Sequence, residues 1–371
     1  MRLLARTITA ALSVCLLGGG LAQAQSNTLN VGLIYPIKTM LGQEGQRGSE
    51  MAADFLNQSG GLIKGEKLHL TVYDDNYTPA DGVAAARRLA SEDKVKIIVG
   101  AINTSVSLGV MQIAQQNGML YLAAVTKAPA ITDYDRAFLF NPLVSVDGAT
   151  FDKYIKDKVN PQRVAVVVEN GDYGRSIVTD MKKYFGDKVV ATELYEILKQ
   201  TDFSTLATRI KAANPDAVCL GFSAPEQGGN VLRALKEAGV GGKRCIMPGS
   251  ITPDVLKVAG DSAEGAFTVD IWSPTTDNEI NRKFVSAFQA KYHEAPSKVD
   301  FLGFESVWVL GQAIRKAGTD SDTAKIAQTI RDNAWETPRG TIRFPKNRAS
   351  SDAWVVMTVK DGKIVSSPIN Q

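Results

Sequence analysis

An α/β fold of two similar lobes, each a parallel sheet flanked by helices and the two joined by a three-strand hinge, is what this sequence predicts. Short β-rich apolar runs alternate with stretches of helical spacing from Leu29 onward, the pattern of parallel strands covered on both faces. The alternation breaks near Pro142 to Asp147 and starts afresh at Arg163-Val164-Ala165-Val166-Val167-Val168-Glu169. At 371 residues the chain is also longer than a single core normally serves.

The N-terminus precedes the fold. Arg2 and Arg6 supply a charged start, Ile8 to Leu21 an apolar run, and Ala22-Gln23-Ala24 a small-x-small cleavage site, which together read as a secretory signal peptide over residues 1–24. The run is shorter than the roughly 20 residues a membrane span needs. A lipidated Cys15 is the alternative, against which the bulk of Val14 argues. Removal takes away two arginines and no acid, so the formal charge falls from +3 to +1. A near-neutral exported product gives no reason to expect nucleic acid or a membrane surface as partner.

In the first lobe, Leu29 to Tyr35 reads as a strand, Gly45 to Asn57 as a helix with Met51, Ala52, Phe55 and Leu56 on one side, and Leu68 to Tyr73 as the next strand. An Ala-rich helix follows over Ala80 to Asp93. Two strand-to-helix turns come next: Val95 to Gly100 runs into Asn103-Thr104-Ser105, and Met119 to Val125 into Thr126-Lys127. In open α/β sheets ligands bind beyond the carboxyl ends of the strands. If these two strands are neighbours, the Thr104 and Thr126 hydroxyls, with free N–H groups at the helix start, face a small anion such as a carboxylate. Helix capping is the plainer role for the same residues.

The second lobe repeats the scheme with strands at Val189 to Glu196, Asp216 to Phe222, Lys243 to Met247 and Gly265 to Ile271. Helices at Tyr173 to Phe185, Phe203 to Ala213 and Glu226 to Ala238 lie between them. Pro, Thr and Asp in Ser273 to Asp277 mark a second crossing. Helices at Asn278 to Tyr292, Val299 to Ala317 and Asp322 to Asp332 precede short strands at Thr341 to Phe344, Trp354 to Val359 and Lys363 to Val365, with a third crossing expected near Gly340. The implied lobes are 25–144 plus 274–339 and 145–273 plus 340–371. Cys219 and Cys245 sit on successive predicted strands. Both a bridge and two separate buried thiols stay open, the second being the plainer reading.

Several chemistries are missing from this pattern. The only histidines are His69, in a strand, and His293, at a charged helix end, so nucleophilic catalysis lacks a base. Gly221-Phe222-Ser223-Ala224-Pro225 lacks the last glycine of a nucleophile elbow, and Gly239 to Arg244 has neither the spacing nor the hydroxyl of a phosphate loop. Asp74-Asp75-Asn76 reads as turn chemistry. No enzyme, cofactor or metal is expected.

The sequence resembles the type I periplasmic solute-binding proteins of the branched-chain amino acid class from about Leu29 to the end. The resemblance is carried by Gly60-Gly61-Leu62-Ile63-Lys64-Gly65, Asp74-Asp75, Pro161-Gln162-Arg163-Val164-Ala165, Tyr173-Gly174, Asp202-Phe203-Ser204-Thr205-Leu206 and Ser262-Ala263-Glu264-Gly265. It implies a monomeric receptor that closes around a small carboxylate or amino acid and delivers it to an inner-membrane ABC permease. The family's carboxylate site falls on Thr104, Ala124 and Thr126, with Asn103 beside them. Tyr173 matches the aromatic residue that closes from the second lobe, and Phe222 or Ser223 lies where another closing side chain is expected. Tyr35, Met40 and Leu41 in the first loop are expected to form an apolar wall. The family's glutamate for the ligand's ammonium falls on Pro248-Gly249-Ser250, where no acid stands. Asp270 and Asp300 are the candidate substitutes, and an amine-free carboxylate is the alternative ligand.

Overall fold

The computed structural model describes residues 28–350 and 354–369; the expected signal peptide, its cleavage site and Cys15 lie outside them. The first sheet contains β1 (Thr28–Tyr35), β2 (Lys67–Asp74), β3 (Ile97–Gly100), β4 (Leu120–Ala123) and β5 (Ala137–Leu139), all parallel in the order β2-β1-β3-β4-β5. Helices α1 (Met40–Gln58), α2 (Pro79–Ser91) and α3 (Thr104–Gln116) connect them. Strand alternation sorts the core onto two faces. Val31, Leu33, Tyr35, Ile97 and Val99 pack on one side, and Ile34 and Ile98 on the other.

The chain then supplies α4 (Val144–Lys158), β6 (Val164–Glu169), α5 (Asp172–Phe185), β7 (Val189–Tyr195), α6 (Ser204–Ala212), β8 (Ala217–Gly221), α7 (Pro225–Glu237), β9 (Lys243–Ile246), α8 (Pro253–Ala259) and β10 (Phe267–Asp270). It continues with α9 (Glu279–Tyr292), α10 (Lys298–Ala317), α11 (Thr323–Asp332), β11 (Trp335–Thr337), β12 (Gly340–Ile342), β13 (Val355–Lys360) and β14 (Lys363–Pro368). The second sheet has the order β14-β13-β10-β9-β8-β6-β7. Ala165 and Val167 of β6 point to one of its faces, Val164, Val166 and Val168 to the other. This sheet is not wholly parallel. β13 runs antiparallel to β10, and β14 antiparallel to β13, the latter because the two-residue Asp361-Gly362 turn between them, with φ of 50° and 70°, can only join antiparallel strands.

The crossings sharpen the lobe boundaries. Leu143 packs in the first lobe's core and Val144 in the second's, so the first crossing lies within the expected break. Ile271 and Trp272, directly after β10, are back in the first lobe's core. The third crossing is displaced from Gly340. Ile342 and Phe344 belong to the first lobe's core, where the Phe344 ring meets Phe138 and Phe140 edge-on at 5.6 and 5.0 Å. The Ala349 N–H donates to the Leu139 carbonyl at 2.8 Å, and the chain joins the second sheet only at Val355. Residues 340–349 therefore go with the first lobe, because two aromatic partners await Phe344 there.

Helices α4 and α8 have no counterpart in the sequence reading, and α1 begins five residues earlier than its apolar spacing indicates. Thr39 is the cause: its side chain accepts from the Gly42 N–H at 3.1 Å and caps the helix. Helix α1 lies tight on α10, since a Cβ on Gly48 would stand 1.9 Å from the Asp300 carbonyl oxygen. Among the described residues no helix is long and apolar enough to cross a membrane, and no group of His, Cys, Asp and Glu is arranged to hold a metal.

Candidate ligand-binding cleft

The neighbouring strands β3 and β4 bring the two predicted threonines together. Gly100 ends β3 with φ +123°, and a Cβ there would lie 2.2 Å from the Ile34 carbonyl oxygen, so only glycine lets the chain turn so close to β1. Asn103 then caps α3, its Oδ1 accepting from the Ser105 and Val106 N–H groups at 2.9 and 3.2 Å. Thr104 is the first residue of that helix, and the Thr126 hydroxyl donates to the Thr104 Oγ1 at 3.2 Å. Two hydroxyls thus stand at a helix N-terminus, where backbone N–H groups favour negative charge.

Both threonines line a cleft between the lobes. Leu41 and Ile102 add apolar wall from the first lobe, Val299 and Leu302 from α10. Tyr173, Phe222, Ser223 and Ser250 line it from the second lobe. Asn103 and Ala124 are not on this wall: Asn103 is the cap, and Ala124 is packed in the core. Leu41 reaches the cleft from the first turn of α1 rather than from a loop. Met40 does not line it, and Tyr35 is turned into the core, its hydroxyl 3.5 Å from the Ser49 Oγ and its ionisation pushed up to about 12 by burial.

Neither substitute acid lines the cleft. Asp270 is buried with Lys298 at 2.5 Å and accepts from the Ile271 N–H at 2.7 Å. Asp300 completes the capping box of α10, accepting from the Ser297 N–H at 2.9 Å, and takes two bonds from Arg47 at 3.2 and 3.3 Å. Burial pushes its carboxyl up to about 7 against the pull of Arg47 and Ser297. A strand end and a helix start suggest exposed charges, but helix packing buries both.

Two lysines and one carboxylate escaped the sequence reading. Lys127 lines the cleft, donates to the Pro248 carbonyl at 2.9 Å and lies 5.7 Å from the Tyr173 ring centroid. Lys298, also on the wall, runs alongside Gly249, where a Cβ would meet its Cδ at 3.1 Å; with φ +93°, Gly249 keeps the turn open for it. Among the described lining residues there is no carboxylate. Just behind the wall, Glu169 accepts from the Ser223 N–H at 2.6 Å and the Ser223 hydroxyl at 2.7 Å. Burial pushes Glu169 up to about 7, with the serine bonds pulling the other way. Its place as the last residue of a buried strand is the one signal the sequence held for it.

Polar contacts join the lobes around the cleft. Ser105 donates to Asp172 at 2.6 Å, Lys127 reaches Pro248, Lys298 reaches Asp270, and Lys257 reaches Glu294 at 3.2 Å. Asp172 is held below the usual carboxylate range chiefly by the Ser105 bond. Cys219 and Cys245 stand directly opposite each other on β8 and β9 as two free, buried thiols; a thiol hydrogen bond with Cys245, then burial, pushes Cys219 up.

The model of the family described as periplasmic binding protein matches residues 28–363. The chain belongs to that family. A Leu-, Ile-, Val-, Thr- and Ala-binding protein of Pseudomonas aeruginosa is 29% identical over 327 residues, covering 86% of each chain. A branched-chain amino acid transporter substrate-binding protein of Streptococcus pneumoniae, solved with isoleucine, superposes with a TM-score of 0.84 at 20% identity over 92% of this chain and 99% of that one. An ABC transporter solute-binding protein of R. palustris, solved with benzoate, gives 0.85 at 21% identity over 92% and 96%. This periplasmic binding protein is a ligand binder and not an enzyme.

Proposed function

We propose that the protein is the substrate-binding component of an ABC importer, taking a small carboxylate, a branched-chain or related amino acid, between its lobes and handing it to the membrane permease. It acts as a monomer in the periplasm after losing residues 1–24. The observation that carries this reading is the pair of Thr104 and Thr126 hydroxyls at the start of α3, enclosed by Tyr173 from the other lobe. A carboxylate there would accept from hydroxyl and backbone donors out of bulk water, where such bonds are strongest. Closing the lobes around the ligand selects the state with the most contacts. The amino acids bound by the P. aeruginosa and S. pneumoniae proteins support the ligand class.

A second reading, an amine-free acid, rests on the turn Pro248-Gly249-Ser250. It carries no acid, Lys298 lies against it, and Asp270 and Asp300 are engaged by Lys298 and Arg47. The benzoate in the R. palustris protein shows that such a ligand suits this fold. Calorimetric titration separates the two. Leucine or valine binding without their deaminated acids selects the amino acid, and the reverse result selects the amine-free acid.

A further inference from the structure

The second-lobe wall of the cleft has two serine hydroxyls whose protons are already committed. The Ser223 hydroxyl donates to Glu169 Oε1 at 2.7 Å while its backbone N–H donates to Oε2 at 2.6 Å. The Ser250 hydroxyl donates to the Phe222 carbonyl at 2.9 Å. A hydroxyl has one proton and two lone pairs, so each serine offers the cleft an acceptor. The lysines that line the same space are engaged, Lys127 with the Pro248 carbonyl and Lys298 with Asp270. On the first-lobe wall the polarity is reversed, because Thr126 donates to Thr104 and leaves the Thr104 proton for the ligand.

We propose that Glu169 is a specificity-determining positioning residue: it holds Ser223 as an obligate acceptor, so the ligand carries a hydrogen-bond donor, an ammonium or a hydroxyl, on the side that meets the second-lobe wall. This rests on the carboxylate-binding reading above and narrows its ligand class, separating donor-bearing acids from plain aliphatic or aromatic ones. An acceptor on the ligand would face the Ser223 oxygen with no proton between them, leaving two desolvated acceptors unpaired.

The surroundings of Glu169 suit that role. It is 2% exposed, and the groups facing it are the phenols of Tyr77 and Tyr195 and the Ser223 side chain. Burial pushes the ionisation of both phenols well up, so they stay neutral beside it. Tyr77 belongs to the first lobe's core and Tyr195 to the second's, so the enclosure of Glu169 is complete only when the lobes meet. Above about pH 7 the carboxylate accepts both serine bonds. Below that, a protonated Glu169 can donate through Oε1 and release the Ser223 proton, so the selectivity is sharpest on the alkaline side.

The test is calorimetric titration of the mature protein at pH 8 with two matched series. One comprises leucine, 2-hydroxy-4-methylpentanoate and 4-methyl-2-oxopentanoate; the other, 4-hydroxybenzoate and 4-methoxybenzoate. In whichever series binds, the donor-bearing acid is expected to bind about tenfold or more tighter than its acceptor-bearing partner. Glu169→Gln, or Ser223→Ala should that variant not fold, is expected to narrow the gap to roughly threefold or less. A purely structural Glu169 would weaken every acid alike and leave the ratio in place, which overturns its positioning role. Acceptor-bearing acids that bind the wild-type protein as tightly as donor-bearing ones overturn the inference and leave carboxylate binding standing. No binding by any acid of either series overturns both.

Discussion

The strand-end hydroxyls on the two walls of the cleft are placed by the same device and come out chemically opposite. On the first-lobe side, β3 and β4 lead into Thr104 and Thr126 at the start of α3, where Thr126 donates to Thr104 and the Thr104 proton is left for the cleft. On the second-lobe side, β8 and β9 lead into Ser223 and Ser250, residues of the same kind in the corresponding place. There Glu169 and the Phe222 carbonyl take up the protons. A strand end decides where a polar side chain stands, and the group behind it decides whether it donates or accepts.

The same contrast separates charges that serve the fold from polar groups that serve the cleft, and the largest expected effect tests that separation. Asp300→Ala removes the buried carboxylate that caps α10 and leaves Arg47 with Glu294 alone, at 2.6 Å. Losing the capping bond together with the charged bonds from Arg47 should cost on the order of 3 kcal/mol of stability, while ligand affinity per folded molecule stays within about twofold, because Asp300 is not on the wall. Chemical unfolding combined with titration of the folded fraction checks this; a large loss of affinity with unchanged stability would return Asp300 to the site.

Next in size, Thr104→Ala together with Thr126→Ala removes the hydroxyls of the donor wall and should weaken carboxylate binding by roughly 2 to 4 kcal/mol. Intact affinity in the folded double variant would reduce both residues to helix-start chemistry. The smallest effect is in the pH dependence of stability. Asp75, Asp152, Glu169 and Asp300 are each pushed up to about 7 chiefly by burial, above the roughly 4 of an unfolded chain. The folded state therefore holds protons that the unfolded chain releases. That stabilisation is fully present below about pH 4 and lost as pH rises through about 7. The unfolding temperature should be higher at pH 6 than at pH 8, with a shallower slope for Glu169→Gln. A melting temperature that rises across that interval contradicts the assignment.

What the amino-acid order determined by itself is the part of this protein that depends on local periodicity. Buried strands such as Val164–Glu169 need an unbroken apolar run, and the alternation of such runs with helices implies parallel sheets whose strand ends gather polar residues. Thr104 and Thr126 were legible for that reason, whereas Tyr173, Phe222, Ser223 and Ser250 were marked by the resemblance to the binding-protein family; all six line the cleft. Tertiary structure alone decided which charges meet. Asp270 finds Lys298 and Asp300 finds Arg47 only because α10 and α1 pack where they do, and residues 340–349 stay with the first lobe because Phe344 has two aromatic partners there. The partner of a hydroxyl proton belongs to the same class of fact. Glu169 lies 54 residues from Ser223, and no local pattern announces a contact that the sheet creates by placing β6 beside β8.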